Sequence, residues 1–388
     1  MTKSIEMEYR KIGNTGMSAS IIGLGAEHLD GKSYNVVEET IHAALDHDIN
    51  IIDVFMPGDE VRRNIGKVLG NRRKDVMIQG HIGSVDLQQQ YDMSRDLDIC
   101  KRYFDKLLTN LGTDYIDFGM LFFMDSDEAF EQVQKNGIID YVLDLKQQGV
   151  IRAIGTSSHN PVVARKVLET GIVDLMMFSI NPAFDMTPPE EHVLSTFDDK
   201  QFVEQQYVTI DPVRAELYKY CEQQEIAITV MKTLGGGRLL SAEHSPFKKA
   251  MTVHQCIHYA LTRPAVVSTM VGCQSAKQVK EAVGYLSSTE EERDYMDIIS
   301  GYQGKLSGKC VYCNHCQPCP VNIDIAMVNK YLDIAVLDMD NIPPSIIQHY
   351  ASLSASGSDC IACGSCEEKC PFSVPIIRNM ELAAELFG

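Results

Sequence analysis

The 388-residue sequence contains no tryptophan and no long run of apolar residues. No stretch approaches the roughly 18 apolar residues that a membrane-spanning helix needs, so the sequence predicts a soluble protein that does not partner with a membrane. The first residues, MTKSIEMEYRK, lack the apolar core and the cleavage site of a secretory signal peptide. We therefore expect a cytoplasmic, reducing location in which cysteines do not pair into disulfides.

Positive charge is also scarce. Lysine and arginine total 35 against 53 acidic residues, which gives a formal net charge of −18, and the longest basic stretch is the triplet at 72–74. Nucleic-acid-binding surfaces concentrate lysine and arginine, so nucleic acid is not an expected partner. An acidic surface suits instead a basic docking partner.

Cysteine is abundant near the C-terminus, where eight of the twelve cysteines form two runs, each followed by a proline. Three cysteines at i, i+3 and i+6 wrap around one [4Fe–4S] cluster, and the fourth, before proline, reaches a neighbouring cluster. The spacing therefore predicts two [4Fe–4S] clusters. The first would be held by Cys310, Cys313, Cys316 and Cys370, and the second by Cys360, Cys363, Cys366 and Cys319.

One feature departs from the common bacterial spacing. Only Gln317 and Pro318 separate the last two cysteines of the first run, where three residues are usual. Structural zinc is the alternative, since C-x-x-C pairs also bind zinc. Zinc needs only four ligands per site, and neither the third cysteine nor the Cys-Pro step has a role there, so clusters are favoured.

Between residues 18 and 286, short apolar runs alternate with amphipathic stretches of helical length. This alternation predicts βα units and a parallel sheet. The candidate strands are 21–23, 50–54, 76–80, 115–121, 151–155, 175–180, 226–230 and 266–271. Eight such units predict an α/β fold, a (β/α)8 TIM barrel at 1–300. A mainly helical, ferredoxin-like di-cluster domain would follow at 301–388, with helices at 322–337 and from Pro344 to before Gly357.

Active sites of such barrels are built at the carboxyl ends of the strands. Charged side chains at predicted strand ends are therefore catalytic candidates: Glu27, Asp53, His81 and Lys232. The cofactor-binding candidates are Ser157, Ser158, Asn181, Gly235, Gly236, Gly237, Arg238, Gly272 and Gln274. The glycines at 235–237 could cradle a phosphate through backbone N–H groups. The connection at 181–211 is long enough to form a lid over the site.

Each candidate also has a structural interpretation. His81 could be a hydrogen-bonded structural histidine, and Asp53 could be buried and paired with Lys232. His159 and Asn160 could cap the helix that opens at Pro161.

Several segments resemble the aldo-keto reductase family, across nearly all of residues 6–290. They are YRKIGNTG at 9–16, IGLG at 22–25, NIID at 50–53, TDYID at 113–117 and RAIGTS at 152–157. The C-terminal part resembles the branch of that family with an appended ferredoxin domain. The resemblance implies the barrel fold, but fold alone does not fix function.

The resemblance also implies which residues should act. The reductases of the family protonate a carbonyl with an Asp, Tyr, Lys and His set while NADPH gives hydride. Only Asp53 matches this set, because Gly58, His81 and Phe122 stand at the other three positions. The nicotinamide and adenosine positions differ as well, and they hold Ser157-Ser158, Met177, Gln274 and Ala282.

NAD(P)H gives two electrons as hydride, whereas each cluster passes one electron at a time. We therefore expect an anaerobic iron–sulfur oxidoreductase that exchanges electrons with a ferredoxin-like or other redox partner. Its two clusters would carry electrons to or from a small organic substrate, or a bound flavin, in the barrel. One alternative is an NAD(P)H-dependent carbonyl reductase with His81 as the acid. Another is a non-catalytic electron-transfer or redox-sensing subunit, which would not need the strand-end charges.

Overall fold

A closed barrel of eight parallel strands forms the larger part of the protein. The computed structural model describes residues 6–87, 90–186, 210–299, 308, 310, 312–336, 339, 342–370 and 372–388. The barrel strands are β1 (Ile22–Gly25), β2 (Ile51–Val54), β3 (Met77–Ile82), β4 (Ile116–Leu121), β5 (Ile151–Ser158), β6 (Leu175–Ser179), β7 (Ala227–Met231) and β8 (Val266–Gly272). Each strand pairs with its neighbour in sequence, and β8 pairs with β1 to close the barrel.

Helices follow the strands and cover the outside of the barrel. They are α1 (Tyr34–Asp46), α2 (Asp59–Leu69), α3 (Leu97–Leu111), α4 (Asp127–Lys135), α5 (Ile138–Gln147), α6 (Pro161–Leu168), α7 (Pro182–Asp185), α8 (Pro212–Gln223), α9 (Val253–Leu261), α10 (Ala276–Val283), α11 (Glu290–Arg293) and α12 (Met296–Ile299). Local signals set several starts. Asn160 and Asp211 cap α6 and α8 with their side chains, each just before a proline in the first turn.

All eight predicted barrel strands are present, so the TIM-barrel prediction is confirmed. The strands read as nearly continuous apolar runs because both of their faces are buried. The sequence interpretation missed two hairpins, Tyr9–Lys11 with Ser18–Ser20 and Ser84–Leu87 with Gln90–Met93. The predicted lid at 181–211 lies largely outside the described residues, which stop at 186 and resume at 210.

The hairpin before β1 closes the N-terminal end of the barrel. Ile12 and Ala19 are fully buried in the barrel interior, in one cluster with Phe118, Met120 and Met270. The Arg10 guanidinium binds the carbonyl oxygens at the end of α9 and the start of β8, both at 2.9 Å. This end of the barrel is therefore sealed, and access to the interior is left to the carboxyl ends of the strands.

The C-terminal region adds four helices: α13 (Ile325–Ala335), α14 (Pro344–Ala351), α15 (Ser365–Lys369) and α16 (Ile376–Phe387). The prediction of helices near 322–337 and from Pro344 is confirmed, whereas α16 was not predicted. No strand occurs among the described residues beyond 299. Across all described residues, no helix is both long and apolar enough to cross a membrane.

The C-terminal region contacts the N-terminal end of the barrel. Glu222 lies near the end of α8, where Lys330 Nζ and His349 Nδ1 approach its carboxylate oxygens at 3.9 and 3.5 Å. Arg263, between α9 and β8, stacks over the Tyr312 ring at 5.4 Å. Strand β8 has seven residues and therefore spans roughly 20 Å, at a rise of about 3.3 Å per residue. The two cysteine runs thus belong to the barrel end opposite the strand carboxyl ends.

Candidate functional site

A cavity of about 560 Å³ opens at the carboxyl ends of the barrel strands. This volume falls within the range of small-molecule sites in proteins. Its lining includes all four catalytic candidates, together with aromatic and methionine side chains. The main lining residues are Glu27, Asp53, Phe55, Met56, His81, Phe122, Phe123, Ser157, His159, Met177, Met231, Lys232, Leu234, Met270, Gly272 and Gln274. The structure thus brings together Glu27, Asp53, His81 and Lys232, whose catalytic roles stay predictions.

Asp53 and His81 form the buried polar centre of the cavity. His81 Nε2 lies 2.8 Å from Asp53 Oδ1, and Gln79 Nε2 donates to the same oxygen at 3.1 Å. Both side chains of the pair are almost fully buried. The other ring nitrogen of His81, Nδ1, is buried and has no hydrogen-bond partner among the described residues. A buried polar atom without a partner beside a cavity is available to a ligand.

Aromatic rings surround the His81 imidazole. Phe55 and Phe122 lie nearly parallel, with ring centroids 6.0 Å apart, and both meet the imidazole edge-on. Phe122 comes directly after β4, at the position where the family resemblance places a histidine. The cavity therefore places the His81 imidazole beside two apolar rings, which suits a planar organic substrate.

A second histidine–carboxylate pair borders the same cavity. His159 Nδ1 lies 2.9 Å from Asp125 Oδ2, and the other Asp125 oxygen accepts hydrogen bonds from the His159 amide and the Ser158 hydroxyl. Burial alone would raise the pKa of Asp125, but His159 and these hydrogen bonds hold it below the ordinary value. Asp125 was missed in the sequence, although it follows the end of β4 by four residues. Asn160 caps α6, as its structural interpretation predicted.

Glu27 and Lys232 lie at the cavity mouth and approach each other, with Lys232 Nζ 3.7 Å from Glu27 Oε2. The suggested pairing of Asp53 with Lys232 is wrong, because Asp53 binds His81 and Gln79 while Lys232 faces Glu27. Lys232 and Phe123 both have a left-handed backbone, with φ of 60° and 56°. Non-glycine residues in this conformation cost roughly 1–3 kcal/mol and cluster at functional sites.

The cofactor-binding candidates are divided between the cavity and the protein interior. Ser157, Gly236, Gly237, Gly272 and Gln274 line the cavity, and Gly235 and Arg238 flank the two glycines in the same loop. Two candidates, Ser158 and Asn181, are instead fully buried and form hydrogen bonds within the protein. The Ser158 hydroxyl donates to the Met124 carbonyl at 2.7 Å, and Asn181 caps α7 and donates to the Lys232 carbonyl at 2.9 Å.

The two cysteine runs share the backbone conformation of their first turn. In each run the second and fourth residues after the first cysteine have positive φ: Tyr312 and Asn314 in the first, Ala362 and Gly364 in the second. In both runs the amide two residues after the first cysteine donates to its sulfur, at 3.4 and 3.5 Å. Left-handed non-glycine residues are uncommon, so this agreement indicates two loops shaped for the same task.

The repetition continues beyond the fourth cysteine of each run. Asn322 and Ser373 each lie three residues after that cysteine, have positive φ, and donate their amide to its carbonyl. A helix begins six residues after the cysteine in both cases, and these helices, α13 and α16, pack on each other. The C-terminal region therefore contains an internal structural repeat that the cysteine spacing alone did not reveal.

The fourth cysteine of each run lies near the other run. A small cavity is lined by Cys319 together with Cys360, Cys363 and Cys366, and by aliphatic side chains of α16. Cys370 is close enough to Cys313 and Cys316 to interact with them electrostatically. These proximities agree with the two crossed ligand sets that the sequence rule assigned, and the two clusters stay a prediction.

Burial raises the pKa of the Cys313 thiol to about 11, and it also raises the pKa of Cys310 and Cys316. Such thiols are poor nucleophiles on their own. Among the described residues, no three His, Cys, Asp or Glu side chains converge on a position for a single metal ion. Cys100, Cys221, Cys256 and Cys273 are buried packing residues, as predicted.

Comparison with known proteins identifies the barrel. The model of the "Aldo/keto reductase family" matches residues 21–255. The chain belongs to this family. It is accordingly an oxidoreductase of the aldo-keto reductase type, with the barrel fold of that family.

Individual relatives match the same part of the chain. "Uncharacterized oxidoreductase YqkF" of Bacillus subtilis is 28% identical over 301 residues, which cover 74% of this chain and 94% of that protein. Aldo-keto reductase YhdN of Bacillus subtilis is 29% identical over 162 residues, covering 39% of this chain and 47% of its own length. About a quarter of the chain thus lies beyond the match to YqkF.

Solved structures share the fold. The holo form of aldo-keto reductase AKR11C1 from Bacillus halodurans has a TM-score of 0.57 and 21% identity, over 75% of this chain and 96% of that one. The putative aldo-keto reductase PA4992 from Pseudomonas aeruginosa has a TM-score of 0.56 and 18% identity, over 74% and 98%.

Proposed function

We propose that the protein is an iron–sulfur oxidoreductase that exchanges electrons between a redox carrier protein and a small organic substrate in the barrel cavity. Two [4Fe–4S] clusters, held by the crossed cysteine sets, would supply one-electron transfer. The observation that carries the proposal is the repeated loop conformation of the two runs, with Cys319 facing the second run and Cys370 the first.

Within the cavity, His81 would move a proton to or from the substrate. Asp53 and Gln79 hold one side of this polar centre, and His81 Nδ1 has no partner among the described residues. An imidazole ring can donate or accept a proton and so act as an acid or a base. The Phe55 and Phe122 rings line the cavity beside His81 and would fit a planar substrate.

The residues expected to hold nicotinamide do not favour NADPH as the electron source. Met177 stands where the family holds the amide with glutamine, and its sulfur receives only a long contact of 3.7 Å from Gln79. Gln274, at the adenosine position, offers no guanidinium fork for a 2′-phosphate. Its backbone amide is occupied by the Gln278 side chain at 2.7 Å.

One observation favours a second candidate, an NAD(P)H-dependent carbonyl reductase. The cysteine runs lie at the N-terminal end of the barrel, whereas the cavity lies at the other end, roughly 20 Å away along β8. Hydride transfer at the cavity mouth would not require electrons to cross this length. In that case His81 would protonate the carbonyl oxygen, and the C-terminal region would serve another purpose.

Anaerobic purification followed by iron and sulfide analysis tests the proposal first. We expect about eight iron and eight acid-labile sulfide per chain, from two cubane clusters. Bound zinc without broad visible absorption would overturn the cluster assignment. The protein is then reduced with dithionite or with NADPH in separate experiments and offered a panel of aromatic carbonyl and enone compounds. Substrate reduction by NADPH alone, equally fast in protein stripped of iron, would establish the second candidate.

A further inference from the structure

The two equivalent cysteine loops differ in their surroundings. Two residues after the first cysteine, at the first position with positive φ, the first loop has Tyr312 and the second loop has Ala362. Tyr312 and Cys316 are buried against the barrel, whereas Ile361 is 61% exposed and Cys363 is exposed. One loop is therefore more enclosed and the other faces solvent, although the backbones of their first turns match.

A buried arginine, Arg263, lies beside the first loop. Arg263 is 1% exposed and lies between two rings, with its guanidinium carbon 4.4 Å from the centre of Tyr259 and 5.4 Å from that of Tyr312. Its Nη2 donates to the Thr262 hydroxyl at 3.0 Å. A guanidinium stays protonated in proteins, so a full positive charge is buried beside this cysteine loop.

Two acidic side chains near the first loop are better screened than Arg263. Asp333 accepts a hydrogen bond from the Tyr312 hydroxyl at 2.7 Å and is only partly buried. Asp294 is paired with His315 at 2.6 Å, and about a third of each of these side chains is exposed. Solvent weakens the field of exposed charges far more than that of a buried one. Arg263 is a buried cation that acts on Cys313, and the buried Asp185 carboxylate offsets part of its charge.

We propose that Arg263 raises the reduction potential of the cluster held by Cys310, Cys313, Cys316 and Cys370. This inference rests on the proposed function, because it requires clusters. Reduction adds one negative charge, which burial disfavours and a neighbouring cation stabilises. The electron given up by a reduced one-electron carrier protein enters at the exposed loop of Cys363. It then passes to the cluster of the enclosed loop, because Arg263 stabilises the reduced form of that cluster.

Potentiometric titration of the full anaerobic chain, followed by electron paramagnetic resonance, tests this role. The Cys363→Ser variant, which disables the second cluster, identifies the signal of the first. In Arg263→Gln we expect the midpoint potential of the first cluster to fall while that of the second stays unchanged. Arg263→Lys, which keeps the positive charge, should recover most of the shift.

The matched control is Arg293→Gln. Arg293 also stacks on a tyrosine, Tyr285, at 4.5 Å, but this tyrosine lies outside both cysteine loops. Asp333→Asn removes a negative charge beside Tyr312 and should move the same potential upward. It keeps the proposal testable if Arg263→Gln fails to fold.

The possible outcomes separate the two proposals. Equal shifts of both clusters in Arg263→Gln, or no shift in either the Arg263 or the Asp333 variant, would refute the role of Arg263 and leave the clusters in place. Wild-type protein that binds no iron would refute the proposed function itself.

Discussion

The two ends of the barrel use charged residues in different ways. At the carboxyl end, His81–Asp53, His159–Asp125 and Glu27–Lys232 all border a cavity. At the N-terminal end, the Glu222–Lys330 pair is 8% exposed on each side and is covered by the C-terminal region. Charges beside a cavity can meet a ligand, whereas charges between two packed regions hold those regions together. Similar ion pairs therefore border a cavity at one end and join two packed regions at the other.

The largest expected effect comes from replacing cysteines of the C-terminal region, which lies at the N-terminal end of the barrel. In a variant with Cys360, Cys363 and Cys366 all replaced by serine, about four iron atoms should remain. Adding Cys370→Ser should remove these as well, whereas adding Cys319→Ser should not, because the fourth ligand of each set comes from the other run. Iron analysis decides this, with the buried Cys256→Ser as the control. The reverse result would mean that each run holds its own cluster.

At the cavity end, His81→Gln should lower turnover by about 10²–10⁴ and leave the iron content unchanged. Glutamine keeps a hydrogen-bonding group near Asp53 but cannot transfer a proton as an imidazole can. Turnover is measured with a substrate found in the dithionite screen, and the exposed His42→Gln on α1 is the control. Turnover in the variant within about twofold of the parent would be a far smaller loss than general acid–base catalysis implies. His81 would then be structural, and Glu27 or Lys232 would become the next candidate.

At the N-terminal end of the barrel, Glu222→Gln should lower the free energy of unfolding by about 3 kcal/mol without changing the cavity. The substitution leaves the buried Lys330 ammonium without its counter-charge. Urea unfolding followed by circular dichroism measures the change in the free energy of unfolding. The control is Glu216→Gln, an exposed residue of the same helix whose loss should cost less than about 0.5 kcal/mol. Equal effects of the two variants would show that the covered pair contributes no more than a surface pair.

The Glu222–Lys330 pair predicts that the stability of the protein depends on pH. Burial opposes the charged form of Glu222, but Lys330, His349 and the Ala265 amide lower its pKa from 4.5 to about 2. A carboxylate with a depressed folded-state pKa contributes stability above its unfolded pKa and loses it as the pH falls towards the folded value. The stability difference between the parent and Glu222→Gln should therefore shrink between pH 4.5 and pH 2. A difference that stays constant over this window would contradict the assignment.

The smallest expected effect is the response to NADPH. Titration calorimetry should detect weak or no binding, because Met177 and Gln274 cannot hold the amide and the 2′-phosphate. NADH provides the matched ligand without that phosphate. Low-micromolar affinity with a clear preference for NADPH would make the cavity end an ordinary reductase site and separate its chemistry from the cysteine runs.

The sequence by itself determined the barrel and the cysteine sets. Alternating apolar runs and helical stretches located all eight strands, because strands buried on both faces leave a strong local pattern. Strand-end position was enough to bring Glu27, Asp53, His81 and Lys232 to one cavity, since all parallel strands end at the same face. The cysteine spacing assigned the crossed sets, which the structure brings close together.

Only the tertiary structure decided how these residues pair and where the two regions meet. Asp53 binds His81 rather than Lys232, and Asp125 joins His159, because pairing depends on side-chain direction around the barrel and not on distance along the chain. The contacts of Glu222 with Lys330 and of Arg263 with Tyr312 join positions far apart in sequence. Such contacts leave no local pattern, since each is set by the docking of whole helices.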